Sequence, residues 1–172
     1  MFDYHLDVAH LSWLIGTWVG FGTVDYPTME SGLRFVQELS ISHDGQPYLT
    51  HWSRTWELDE DGNKVKPLAV EAGFWRPQPD NSVEFLLSHP TGIVEIWSGK
   101  VEILGLENAQ ITGARATLET DIVGRTLSAK EVTSGKRLYG LVDGRLFWAY
   151  DMAAVGQDLQ VHVAAELFSQ VS

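Results

Sequence analysis

The sequence contains no cysteine. That excludes disulfides, thiolate metal centres and cysteine nucleophiles, and it suits a reducing compartment. Long apolar runs are also missing, and no stretch approaches the roughly 20 apolar residues that span a bilayer. The first residues, Met1-Phe2-Asp3-Tyr4-His5-Leu6-Asp7, have neither the basic segment nor the apolar stretch of a secretory signal. Basic residues are scarce: 12 Lys and Arg stand against 23 Asp and Glu, a formal net charge of −11. Such a charge repels nucleic-acid phosphates and anionic lipid head groups, and no local basic cluster offsets it. The expectation is a soluble, cytoplasmic protein whose partners are small molecules, not nucleic acid or membrane; a homodimer is a permitted assembly. There is no Gly-rich loop followed by Lys-Ser/Thr, no dinucleotide fingerprint and no His-x-x-x-His pair, so nucleotide and zinc chemistry have no motif to rest on. Repeats, linkers and low-complexity tracts are absent as well.

What remains is a chain of 172 residues that reads as one domain, 1–172. A domain of this size buries about 70% of the surface its unfolded chain exposes. Seven tryptophans are a high count, and their bulk suits pocket walls and barrel interiors. Leu6, Ala9, His10, Trp13 and Leu14 are spaced as one face of a short helix, with Gly16 as its stop. From Thr17 the period becomes two. Leu33, Phe35, Leu39 and Ile41 share a strand face, and the next strand alternates Tyr48, Trp52 and Trp56 against Leu49, His51 and Ser53. On this pattern the Tyr48/Trp52/Trp56 face lines a pocket or fills the core, and His51 is exposed. Leu68, Val70, Ala72 and Phe74 continue the alternation. Further strands are expected at 83–88, 93–97, 101–106, 110–118, 125–132, 137–141, 146–152 and 161–168, some of them pieces of one bent strand. Asp143-Gly144 marks a hairpin. About ten short strands without a long helix predict an all-β fold, a closed antiparallel barrel with a partly polar interior and a short N-terminal helix closing one end.

Gly16-Thr17-Trp18-Val19-Gly20-Phe21-Gly22 opens the first strand as G-x-W-x-G-x-G. Trp18 there can plug a barrel floor, while Gly20 and Gly22 permit the close backbone approach that closure requires. Tyr26-Pro27-Thr28, His89-Pro90-Thr91-Gly92, Ala129-Lys130-Glu131-Val132-Thr133, Met152-Ala153-Ala154-Val155-Gly156-Gln157 and His162-Val163-Ala164-Ala165-Glu166-Leu167 follow in order. This ordered set resembles the nitrobindin family over about residues 11–168. The resemblance implies a roughly ten-stranded calycin-type barrel holding one haem b per chain, with His162 as the protein ligand to iron. It also places a second haem-pocket position on Lys130, and it implies conversion of peroxynitrite to nitrate at ferric haem together with nitric oxide binding. Two departures stand out: Val24 lies where relatives often carry a further glycine, and Phe168-Ser169-Gln170 lies where they often carry a basic residue.

Read alone, His162 is a strand histidine with Ala164 beside it, leaving room for a flat macrocycle. Val163, Ala165 and Leu167 fall on the opposite face. A neutral imidazole is a good iron ligand when its other nitrogen donates to a carbonyl or carboxylate. Lys130 is placed to neutralise a haem propionate. His89, held extended by Pro90, is placed near the face of the haem opposite His162. The competing reading is a carrier of fatty-acid-like ligands, with a buried arginine fixing the carboxylate. Arg34, Arg54 and Arg137 are the candidates, and Arg54 is the one that shares a face with aromatic residues.

Overall fold

The strands are long because turn residues are few and widely spaced, and each strand finds an antiparallel neighbour on both sides. The computed structural model describes residues 3–27, 29, 31–154, 156 and 160–170. Thr28, Val155 and Gln157, which belong to two of the ordered motifs, lie outside the described residues. A short helix, η1 (Leu6–Leu14), precedes ten strands: β1 (Gly16–Val24), β2 (Leu33–Ser42), β3 (Leu49–Leu58), β4 (Lys64–Gln78), β5 (Ser82–His89), β6 (Ile93–Glu107), β7 (Gln110–Arg125), β8 (Val132–Val142), β9 (Arg145–Ala154) and β10 (Gln160–Ser169). They form one closed barrel in the order β1-β10-β9-β8-β7-β6-β5-β4-β3-β2. Segments 93–97 and 101–106 are indeed parts of one strand, β6. The strand expected at 125–132 is not formed: β7 ends at Arg125, β8 begins at Val132, and Lys130 lies in the connection. At Asp143-Gly144 both φ angles are positive, 51° and 76°, as a tight hairpin turn requires.

Helix η1 is a 3-10 helix, so its period is three. Val8, Leu11 and Leu14 are therefore buried together with Trp13, whereas Leu6, expected on the inner face, is 82% exposed. Ile15 caps the helix, and Gly16 already belongs to β1. η1 packs against β4, β6 and β7. Trp18 sits beneath it, 4% exposed, and donates from Nε1 to the Leu14 carbonyl at 3.0 Å. Across the β1–β10 seam, a Cβ at Gly20 would overlap the Glu166 carbonyl and one at Gly22 the Ala164 carbonyl. Glycine is required there by the approach of the neighbouring strand.

On β3 the expected faces are reversed. Leu49, His51, Ser53 and Thr55 point inward, whereas Trp52 is exposed and Trp56 lies beneath Arg54 and Lys64, outside the barrel. Period two does not say which face is inside, and cations stacked on an outer aromatic ring make that ring tolerable in water. β4 follows β3: Glu71 and Trp75 pair with the inward Ser53 and Leu49 and lie inside, whereas Phe74 pairs with Thr50 and is exposed. The interior is partly polar, with Gln37, His51, Ser53, Thr55, Glu71, Glu95 and Arg137 all buried.

Candidate functional site

In an antiparallel barrel, the ends of odd strands and the starts of even strands share one rim. Here that rim carries His89 at the end of β5, the connection with Lys130 before β8, and His162 near the start of β10. Beneath it lie two joined chambers. The outer one, about 580 Å³, is lined by Tyr26, Thr91, Glu95, Ala129, Lys130, Met152 and Ala154 among others. The inner one, about 330 Å³, reaches Phe35, Ser53, Thr55, Glu71, Arg137 and Trp148. Met29, His89, Tyr150 and His162 line both and form the neck between them.

His162 reaches this neck through an irregularity. The β9–β10 register shifts between Val161 and Val163, after which Ala165 and Leu167 point inward and Ala164 outward. Strict alternation puts His162 on the outer face with Ala164; the bulge turns both His162 and Val163 to the cavity. The room expected from Ala164 is therefore not at the site. It comes from Ala129 and Ala154, which line the outer chamber. His162 Nδ1 lies 3.3 Å from the Asp25 carbonyl oxygen. A carbonyl only accepts, so Nδ1 carries the proton and Nε2 keeps its lone pair. Burial lowers the pKa of this imidazole, against the opposing pull of the Asp25 bond, which favours the neutral ring that ligates metal. Tyr26 and Tyr150 brace it edge-on, with centroids at 5.4 and 5.8 Å. Tyr26 is itself fixed, its hydroxyl donating to Met152 O at 3.0 Å and accepting from Ala154 N at 2.9 Å.

β5 and β10 stand five places apart in the cyclic order whichever way it is counted, so His89 faces His162 across the barrel. His89 donates from Nε2 to the Glu95 carboxylate in a short contact. Its Nδ1 lies 4.0 Å from Glu71 Oε2. Lys130 is exposed at the lip of the outer chamber. His162, His89 and Lys130 are thus brought to one cavity. Gly16, Trp18, Gly20 and Gly22 are not: they build the floor and the seam.

Sequence reasoning missed the buried network between the chambers and the floor. Arg137 donates to Glu71 from both terminal nitrogens, with Nη1 to Oε1 at 3.2 Å, and from Nη1 to Tyr139 at 3.0 Å. It also lies over Trp97, Trp148 and Tyr150. Burial raises the Glu71 carboxyl, but Arg137, with His51 Nε2 3.6 Å away, outweighs it and holds the group well below the usual carboxylate range. Burial also pushes the Tyr139 hydroxyl up to about 12, despite Arg137 beside it. His51, expected outside, is 1% exposed and accepts from Trp75 Nε1 at 3.2 Å; burial keeps it neutral. A signal for Glu95 and Arg137 was present. Glu95 shares parity with Ile93 and Trp97, and Arg137 with Tyr139 and Leu141, all buried.

The residues fit the group that the motifs imply: a neutral, oriented imidazole on a cavity with apolar walls and a cation at its lip. Comparison with known proteins agrees. The family described as "THAP4-like, heme-binding beta-barrel domain" matches residues 7–168. The chain belongs to this haem-binding barrel family. Within the family, a protein of Nocardioides sp. named peroxynitrite isomerase is 48% identical over 168 residues, covering 98% of this chain and 96% of the relative. A ferric nitrobindin-like protein of Kineococcus radiotolerans is 41% identical, covering 96% and 94%. The crystal structure of Rv2717c from M. tuberculosis superposes with a TM-score of 0.88 at 35% identity, covering 98% of this chain and all of that one. These relatives bear out the nitrobindin resemblance and the barrel. No helix among the described residues is long and apolar enough to cross a membrane.

Proposed function

We propose that this chain holds one haem b through His162 Nε2 and isomerises peroxynitrite to nitrate, with nitric oxide as a further ligand. The observation that carries this reading is the state of His162: Nδ1 is engaged by a backbone carbonyl and the other ring nitrogen is left to a cavity built for a larger group. Haem supplies an iron centre with a ligand position beyond that of the histidine. The chain's own residues orient and enclose it. Tyr26 and Tyr150 fix the plane of the His162 ring, Lys130 offers a mobile charge to a propionate, and the apolar walls of Phe35, Leu33 and Val24 exclude water from the reacting ligand. His89 closes the opposite wall.

The carrier reading loses its anchor. Arg34 and Arg54 are exposed, Arg34 donating to the Asp59 carbonyl, and Arg137, though inside, is already paired with Glu71. None of the three is available for a fatty-acid carboxylate. The reading places the chain in the cytoplasm, alone or as a homodimer, with small-molecule ligands in place of nucleic acid or membrane; the acidic net charge supports it.

The test is spectroscopic. Addition of haem to the purified chain is expected to give a Soret band that shifts with nitric oxide, and stopped-flow mixing with peroxynitrite is expected to give accelerated decay with nitrate as product. His162→Ala is expected to abolish all three. Equal haem uptake by wild type and variant overturns the ligand assignment.

A further inference from the structure

The inner chamber is walled mainly by apolar side chains, so the few polar groups that reach it stand out. Arg137 is committed to Glu71 and Tyr139 through its terminal nitrogens, although its Nε has no partner. The polar group at the neck of the two chambers is His89. The bond from Nε2 to Glu95 fixes the ring, and Nδ1 stands 4.0 Å from Glu71, beyond hydrogen-bond distance. Charge adds a second argument. Glu71 and Glu95 bring two carboxylates into the barrel, and Arg137 brings one guanidinium. Buried charge must be paired. Burial lowers the pKa of His51, and His89 is the basic side chain in reach of both carboxylates. With Nε2 held by Glu95, Nδ1 is the ring nitrogen left to whatever enters the chamber.

We propose that the inner chamber holds a small inorganic anion, and that His89, oriented by Glu95, is the hydrogen-bond donor that binds it. This inference rests on the haem reading, in which His162 would hold the group in the cavity that His89 lines from the facing wall. His89 contacts the anion. Glu95 acts through His89 and is a positioning residue. Ser53 adds a hydroxyl to the same chamber; its oxygen accepts from Gln37 Nε2 at 2.9 Å, which leaves its proton to donate. Glu71 lines the chamber too, and its charge is neutralised by Arg137.

The full-length chain reconstituted with haem is titrated with azide and with fluoride, and separately with nitric oxide as an uncharged ligand, following the Soret band. His89→Leu is expected to weaken azide and fluoride binding about tenfold or more, the worth of a hydrogen bond to a charged group, and to change nitric oxide binding by a much smaller factor. Glu95→Gln keeps an acceptor for Nε2 but removes the charge, so it is expected to weaken both anions by a smaller factor, and again more than it weakens nitric oxide. That selectivity separates donation to an anion from a structural role, which moves all three ligands together. Unchanged anion affinity in both variants, or parallel loss of anions and nitric oxide, overturns the proposal while the haem reading stands. If His89→Leu does not fold, Glu95→Gln decides by the same criterion. A wild-type chain with no Soret band overturns the haem reading and this inference with it.

Discussion

At the barrel end capped by η1, aromatic rings fill the space. Trp75 stacks on Phe85 at 4.0 Å between centroids, Trp18 donates to Leu14 O, and Trp75 donates to His51. At the opposite end the β7–β8 connection and the end of β9 place Ala129, Ala153 and Ala154 among the buried residues, with Met29 and Met152 beside the cavity. Large rings at one end and small or flexible side chains at the other turn a single sheet into a plug and a vessel. The polar groups differ in the same sense. The floor tryptophans find partners within the fold, whereas His162 and His89 each have one ring nitrogen engaged and the other left to the chambers. The closed end is finished by its own atoms; the open end leaves ring nitrogens facing a cavity.

The strongest way to break this contrast is through the layer between the two ends. Arg137→Leu leaves Glu71 buried and unpaired, and is expected to destabilise the chain by about 3–5 kcal/mol in urea unfolding. Arg137→Leu combined with Glu71→Leu is expected to recover most of that loss. The same pair predicts a pH dependence. The folded Glu71 carboxyl lies below its unfolded value of about 4.3, so its contribution is complete above that pH and is lost as pH falls toward the depressed folded value. Acid unfolding of Glu71→Gln is therefore expected to be less steep below about pH 4.3 than that of wild type. Gly20→Ala follows in size. Its Cβ meets the Glu166 backbone, and the cost expected is about 1–3 kcal/mol, with faster amide exchange along the β1–β10 seam. Trp18→Phe removes one hydrogen bond at the floor and is expected to cost about 1 kcal/mol in thermal unfolding. Haem affinity is expected to stay unchanged in that variant; a loss there means that the two ends are not independent. The smallest effect is expected from Lys130→Ala: stability within about 0.5 kcal/mol, because the side chain is exposed, and a few-fold weaker haem uptake at low salt that fades as salt is added.

The barrel was legible because alternation and turn chemistry repeat along the chain, and G-x-W-x-G-x-G did mark both the floor and the seam. The direction of each face was less legible. β3 reads equally well with Trp52 and Trp56 inside or with His51 and Ser53 inside, and hydrophobicity chose the wrong side. The cation cover that Arg54 and Lys64 give Trp56 joins residues of two strands, which no local pattern displays. The site was legible in its members but not in its construction. His162, His89 and Lys130 are visible in the ordered motifs, but the partner of His89 is six residues away across a turn and the partner of Arg137 is four strands away on β4.

By itself the sequence determined the all-β class, the floor tryptophan, the seam glycines and the family, because these depend on period, residue size and motif order along one chain. The tertiary structure alone decided that His162 faces inward, since a single extra residue in the β9–β10 ladder reverses its side. It also decided that Glu71, Glu95 and Arg137 share one interior, because charge balance in a low-dielectric space is a property of groups brought together from separate strands.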